Sequence, residues 1–159
     1  MNRLEQTLQT QLCSWMKKTH PDVIFKVDSG ASQHKTSFIE RNIYEKQQWK
    51  QGYPDFQIIQ PSKVYHGLFL ELKAESIINK NGTWKRGSND HYVNQHLFHK
   101  ELIKRGYFAC FCWSLEAAQA IIIDYLNDCS LKKDSPIWNG KTYLEKNNKL
   151  ADDFFNRIV

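Results

Sequence analysis

One stretch, residues 52–75 with the sequence GYPDFQIIQPSKVYHGLFLELKAE, limits the folds open to this chain more than any other. It holds a turn ending in Pro54-Asp55, an apolar strand with Phe56, Ile58 and Ile59, and a second strand, LFLELK, at 68–73. Side chains on a strand alternate between faces. Leu68, Leu70 and Leu72 therefore share one face, and Phe69, Glu71 and Lys73 share the other. Glu71 and Lys73 are neighbours on that second face, with Cα atoms roughly 6.5–7 Å apart. They sit within an otherwise hydrophobic run, and charged groups are seldom buried unless paired or holding a metal. With Asp55 beside them at the start of the neighbouring strand, two carboxylates and an ammonium would converge. That set suits a divalent cation and a phosphate. Taken alone, an E-x-K pair is more often a solvated cross-strand salt bridge.

The remaining elements follow from pattern. At 159 residues, 41% of them apolar and 13% aromatic, the chain is long enough for one domain with a real core. Residues 3–18 fit an amphipathic helix. At about 100° per residue, Leu4, Leu8, Leu12, Trp15 and Met16 fall in an arc of about 120°, and Glu5 falls inside it. A carboxylate facing a core needs a cation or a donor, although a first-turn Glu is also favoured by the helix dipole. His20-Pro21-Asp22 ends the helix, and residues 23–27 fit a strand. Residues 93–105 fit a helix stopped by Gly106, with Gln95, Phe98 and Leu102 on one face directed at the sheet. His91, His96 and His99 lack a partner carboxylate or Cys at ligand spacing and are expected at the surface, not on a metal. Residues 107–113 form an apolar run expected of a strand covered on both faces. Ser114 is a good N-cap for a helix over 115–127.

Other segments bear on partners. Lys and Arg outnumber Asp and Glu by 22 to 17, a balance that favours a polyanionic partner without requiring one. From 28 to 51 the chain turns polar and basic, with Lys35, Arg41, Lys46 and Lys50 interleaved with Phe38, Tyr44 and Trp49. Basic residues alternating with aromatics suit phosphates and exposed bases, and a solvated loop with anchoring aromatics reads the same way. Residues 74–94 carry the Asn81-Gly82 turn signal and the cluster Lys80, Lys85 and Arg86, and are expected to form a hairpin or flap. Cys13, Cys110, Cys112 and Cys129 form no CxxC pair and read as reduced core cysteines of a cytosolic protein. No apolar run approaches the ~18–20 residues of a membrane span, and no signal-peptide core is present, so a cytoplasmic location without membrane contact is expected.

The G-x-P-D turn, the two apolar strands and E-L-K, taken together, resemble the PD-(D/E)XK nuclease superfamily, with PD as Pro54-Asp55 and ExK as Glu71-Leu72-Lys73. The resemblance is closer to its VRR-NUC branch, related to phage and archaeal Holliday-junction resolvases. It spans residues 4–126 in the order helix, G-x-P-D, E-x-K-A, Gln-bearing helix and G-Y-x-A strand. It implies an α/β fold with a restriction-endonuclease-like core, a mixed central sheet flanked by helices. It also implies an Mg²⁺-dependent endodeoxyribonuclease, with Mn²⁺ as the alternative ion. Asp55, Glu71 and the Leu72 carbonyl would hold the metal, and Lys73 would assist at the phosphate. Glu5 on the first helix and Gln95 on the later one would complete the catalytic set. Lys35, Arg41, Lys46, Lys50, Lys80, Lys85 and Arg86 are the candidate DNA contacts. The expected substrate is branched DNA such as a four-way junction, cut by a homodimer. A duplex-cutting restriction- or repair-type nuclease and a catalytically idle nucleic-acid-binding module are the alternatives. Residues 1–127 would form the nuclease domain. Residues 128–159, which the resemblance does not reach, would add a C-terminal helical extension packed on it. By the same analogy, a compact stand-alone nuclease of this kind belongs to phages and mobile elements.

Overall fold

The structure, a computed structural model, describes residues 3–28, 52–77 and 89–127. The basic segment with Lys35, Arg41, Lys46 and Lys50, the cluster Lys80, Lys85 and Arg86 with its Asn81-Gly82 turn, Cys129, and the extension over 128–159 lie outside the described residues.

The described chain runs α1 (Arg3–Thr19), β1 (Phe25–Val27), β2 (Phe56–Ile58), β3 (Leu68–Leu72), α2 (Asn89–Lys104), β4 (Phe108–Cys112) and α3 (Leu115–Leu126). The strands make one sheet in the order β1-β2-β3-β4. The first two pairings are antiparallel, and β3 runs parallel to β4, so the sheet is mixed as expected. A parallel pair needs a long crossover, and α2 lies in it.

Alternation along β3 and β4 sorts the two faces. Leu68, Leu70 and Leu72 join Phe108, Cys110 and Cys112 in the main core, with Leu8, Leu12 and Met16 of α1 and Ala118, Ile121, Ile122 and Tyr125 of α3. Each buried Leu, Ile, Phe or Met among them contributes about 1.5–3 kcal/mol through removal of apolar surface from water. The other face carries Phe69, Glu71 and Phe111 and is covered by α2, where His99 packs its ring 4.7 Å from that of Phe111.

Local chemistry explains the helix ends. In α1, Glu5 lies in the first turn and Lys17 and Lys18 in the last, matching the helix dipole. Ser114 caps α3 by accepting the Ala117 N–H at 3.1 Å, as expected from its residue type. Gly106, after α2, has φ +81°, and a Cβ there would stand 2.7 Å from the His66 ring. Only glycine fits.

Leu4 of the expected apolar arc and Ile59 of the expected strand are exposed, the latter beyond the end of β2, and two further expectations need correction. Helix α2 begins at Asn89, not at 93, so the end of the expected flap is helical. Asn-Asp at 89–90 is itself a helix-start signal, overshadowed by the basic turn-rich run before it. His96 and His99 are buried, not at the surface. His99 lies four residues after Gln95 and shares its face, and His96 lies three residues before His99, on the flank of the same buried side. Among the described residues, no group of three or more His, Cys, Asp or Glu side chains is close enough to hold a metal by itself. Cys13, Cys110 and Cys112 are free thiols, and burial raises the thiol pKa of Cys110 and Cys112.

Candidate active site

The site forms where β2 begins and β3 ends, on the α2 side of the sheet. The register pairs Phe56 with Leu70, so one further step along both strands brings Asp55 opposite Glu71. Asp55 Oδ2 accepts the Leu72 backbone N–H at 2.9 Å. Glu71 is 2% exposed and Lys73 6%, and Lys73 Nζ donates to Glu71 Oε1 at 2.8 Å. The E-x-K pair is therefore a buried ion pair, not a solvated one. Gln95, 3% exposed, also donates its Nε2 proton to Glu71 Oε1. Lys73 Nζ further lies 5.3 Å from the centre of the Tyr92 ring, a cation–π contact that fixes it from the helix side. Glu71 Oε2 is buried and receives no donor, although the Asp55 and Glu71 carboxyls lie close enough to share a proton.

Glycine at 52 makes this approach feasible. Its φ is +95°, and a Cβ there would lie 2.9 Å from the Gln95 nitrogen and 3.0 Å from the Asn94 carbonyl atoms. The turn leading to Pro54-Asp55 thus lies directly on the backbone of α2 beside Gln95. The G-x-P-D spacing sets this contact: the glycine meets the helix, and the Asp reaches the strand end three residues later.

Burial dominates the electrostatics. It holds the Glu71 carboxyl well above its usual range, the nearby Asp55 charge adds to this, and Lys73 opposes it. Burial likewise raises Asp55, against the Leu72 N–H and the Lys73 charge. Two carboxyls that resist ionisation side by side are poorly placed for stability. One lysine seldom offsets the desolvation of a buried carboxylate, and an apolar pair would hold this sheet at least as well. Strongly shifted groups of this kind mark functional sites. The donor set fits a hard divalent cation, which takes carboxylate and carbonyl oxygens and keeps several waters. Glu71 Oε2, buried without a donor, is the atom that such an ion would satisfy. Leu72 points its side chain into the opposite core and offers only its backbone here.

Glu5 reaches the same region from α1, accepting the Ala74 N–H at 3.4 Å, just beyond Lys73. The structure thus brings Asp55, Glu71, Leu72, Lys73, Gln95 and Glu5 to one end of the sheet. The seven candidate DNA-contacting residues lie outside the described residues.

Two side chains near the site carried no expectation from the sequence, and a third, His91, was expected only as a surface histidine. Tyr92 is one. His91, one turn before Gln95, is held below its ordinary pKa by partial burial and the Lys73 charge, with Glu5 opposing. Gln9 donates from Nε2 to the carbonyl oxygens of Asp28 and Asp55, each at 3.1 Å. On the wheel used for α1 it falls at about 140°, at the margin of the apolar arc and one turn from Glu5. That adjacency was the available signal.

Strand order and site together define a mixed α/β sheet covered by helices on both faces, with an acidic, lysine-bearing centre at its strand ends. The chain is similar in fold to a solved structure described as a "VRR_NUC domain protein", with a TM-score of 0.54 and 21% sequence identity. The match covers 78% of this chain and 88% of the other. No protein-family model and no curated protein matches the sequence. Among the described residues, no helix is long and apolar enough to cross a membrane.

Proposed function

We propose that the chain is a VRR-NUC-type member of the PD-(D/E)XK nucleases, hydrolysing DNA phosphodiester bonds with Mg²⁺ or Mn²⁺. One observation carries this reading: a carboxylate buried to 2% exposure, with one oxygen tied to Lys73 and Gln95 and the other without a donor, beside a second carboxylate. The fold likeness supports it, as does the order of G-x-P-D, E-x-K and a Gln-bearing helix.

Asp55, Glu71 and the Leu72 carbonyl would hold the cation, which when bound supplies Lewis acidity towards a phosphate ester. The rest falls to the chain's own groups. Gln95 and Lys73 occupy Glu71 Oε1, so Oε2 would be the oxygen available to the ion. Lys73 places a fixed positive charge where charge builds on the phosphate during attack. The Leu72 N–H orients the Asp55 carboxylate. Glu5 holds the chain just after Lys73 through the Ala74 N–H. Affinity for DNA would come mainly from Lys and Arg contacts to phosphates, which release counterions.

The finer assignment is a structure-selective nuclease acting on four-way junctions or other branched DNA. Two symmetric cuts across a junction need paired sites, hence a homodimer. The deciding experiment is cleavage of labelled junction, flap, duplex and single-stranded DNA with Mg²⁺, with Mn²⁺ and with EDTA, alongside Asp55→Ala and Glu71→Ala. Metal-dependent paired nicks at the junction, lost in both variants with DNA binding retained, are expected. Cleavage of plain duplex would move the role to a restriction- or repair-type enzyme. Retained cleavage in either variant would sink the site assignment, and binding without cleavage of any substrate would leave an idle nucleic-acid-binding module.

A further inference from the structure

We infer that Gln9 is a positioning residue for Asp55, fixing from α1 the backbone on which the metal-binding carboxylate is mounted. The inference rests on the reading of Asp55 as a metal ligand.

Asp55 lies one residue before β2, where a single bond to Asp28 is what continues the β1–β2 ladder. Its carbonyl accepts the Asp28 N–H at 2.8 Å and the Gln9 side-chain amide at 3.1 Å, which uses both lone pairs. The same amide reaches the Asp28 carbonyl at 3.1 Å, so both donors of one side chain are spent on two adjacent strand ends. The Asp55 peptide is thus held from α1 and from β1, while its carboxylate is held by the Leu72 N–H. Gln9 is 6% exposed. Helix packing does not need an amide there, since Leu8, Leu12 and Met16 already fill the core, and burying an amide costs free energy unless its bonds are made. Glu5, one turn earlier, holds the chain just past β3 with the opposite polarity, accepting the Ala74 N–H. Helix α1 therefore ties together the strand ends that carry the two carboxylates. Groups that orient a ligand's support tune affinity for the metal itself.

Gln9→Met keeps the length of the side chain and removes the donor. Calorimetric titration of Mg²⁺ and Mn²⁺ into DNA-free protein should show affinity weakened about tenfold or more. DNA binding in EDTA should be unchanged. A purely structural role would lower the melting temperature and leave metal affinity alone. Asp55→Ala run in parallel separates the possible failures. If wild type binds metal, Asp55→Ala does not, and Gln9→Met matches wild type, the inference is overturned and the site stands. If wild type binds no metal, the reading of the site fails and this inference with it. Should Gln9→Met not fold, the wild-type protein provides the answer by NMR. The Gln9 side-chain amide protons should shift during Mg²⁺ titration with the same midpoint as the Leu72 amide. A Gln9 signal that stays still while Leu72 moves overturns the proposal.

Discussion

The two faces of β3 are built from one run of five residues, yet they obey different rules. On the face towards α1 and α3, Leu68, Leu70 and Leu72 are fully buried among aliphatic and aromatic neighbours. On the face towards α2, Glu71 is buried just as completely, but among a lysine, an amide and a second carboxylate. The first face gains free energy from every methylene it hides. The second loses free energy through desolvation and recovers it only in part. Adjacent residues on one strand thus separate holding the fold from performing chemistry, and substitutions should separate the same way.

The sharpest contrast pairs neighbouring positions. Glu71→Ala should abolish metal-dependent cleavage while leaving a folded protein that still binds DNA. Leu70→Ala should cost about 2–5 kcal/mol of stability, through lost transfer energy and a residual cavity, with activity retained in proportion to folded protein. Chemical denaturation and cleavage measured on both variants check this. If Leu70→Ala lost activity while fully folded, the two faces would not be separable.

Gly52→Ala tests the seam between the faces. The added Cβ meets the backbone of α2 and demands a positive φ, so a loss of about 1–2 kcal/mol is expected. Because the strain falls between the Asp55 turn and Gln95, cleavage should drop further than stability. A variant with stability and activity unchanged would contradict the close approach.

The face under α2 should also sense pH. Burial, followed by the charges of His96 and Lys73, holds His99 down to about 3, against an ordinary value of 6.5. Between those values the unfolded chain binds a proton that the folded one refuses, so His99 destabilises the fold as pH drops below about 6.5. His99→Leu should flatten this part of the melting curve's pH dependence. An identical slope in wild type and variant would remove His99 as its source.

The smallest effect belongs to the solvent side of α2. Glu101 accepts from Lys104 at 3.0 Å and from Arg105 at 2.6 Å, which lowers its carboxyl to about 2. These pairs are exposed and screened by salt, so Glu101→Ala should leave activity intact and shift the melting temperature little. The shift should be larger in low salt, and should vanish as pH falls through that carboxyl's range. A large loss of stability would mean that Glu101 belongs to the packed face.

Much of this was legible beforehand. Alternation in LFLELK separates three leucines from Phe69, Glu71 and Lys73, and the sheet keeps that division. The spacing of Leu8, Leu12 and Met16 marks the buried side of α1, and Ser114 starts α3. Such readings succeed because periods of two and 3.6 residues are local, and no distant partner can reverse which side chains share a face.

What the tertiary structure alone decided is which faces meet. Glu71 lies opposite Asp55 because of the antiparallel register of β2 and β3, and no local rule sets that pairing across the turn. Helix α2 covers Glu71 and Lys73, so they pair out of water, and His96 and His99 are buried on the same helix. Gln9, polar and at the margin of its helix's apolar arc, could equally have faced water. It became a bridge between two strand ends because packing of α1 brought residues 9, 28 and 55 together, and a buried amide must find its carbonyls wherever the fold supplies them.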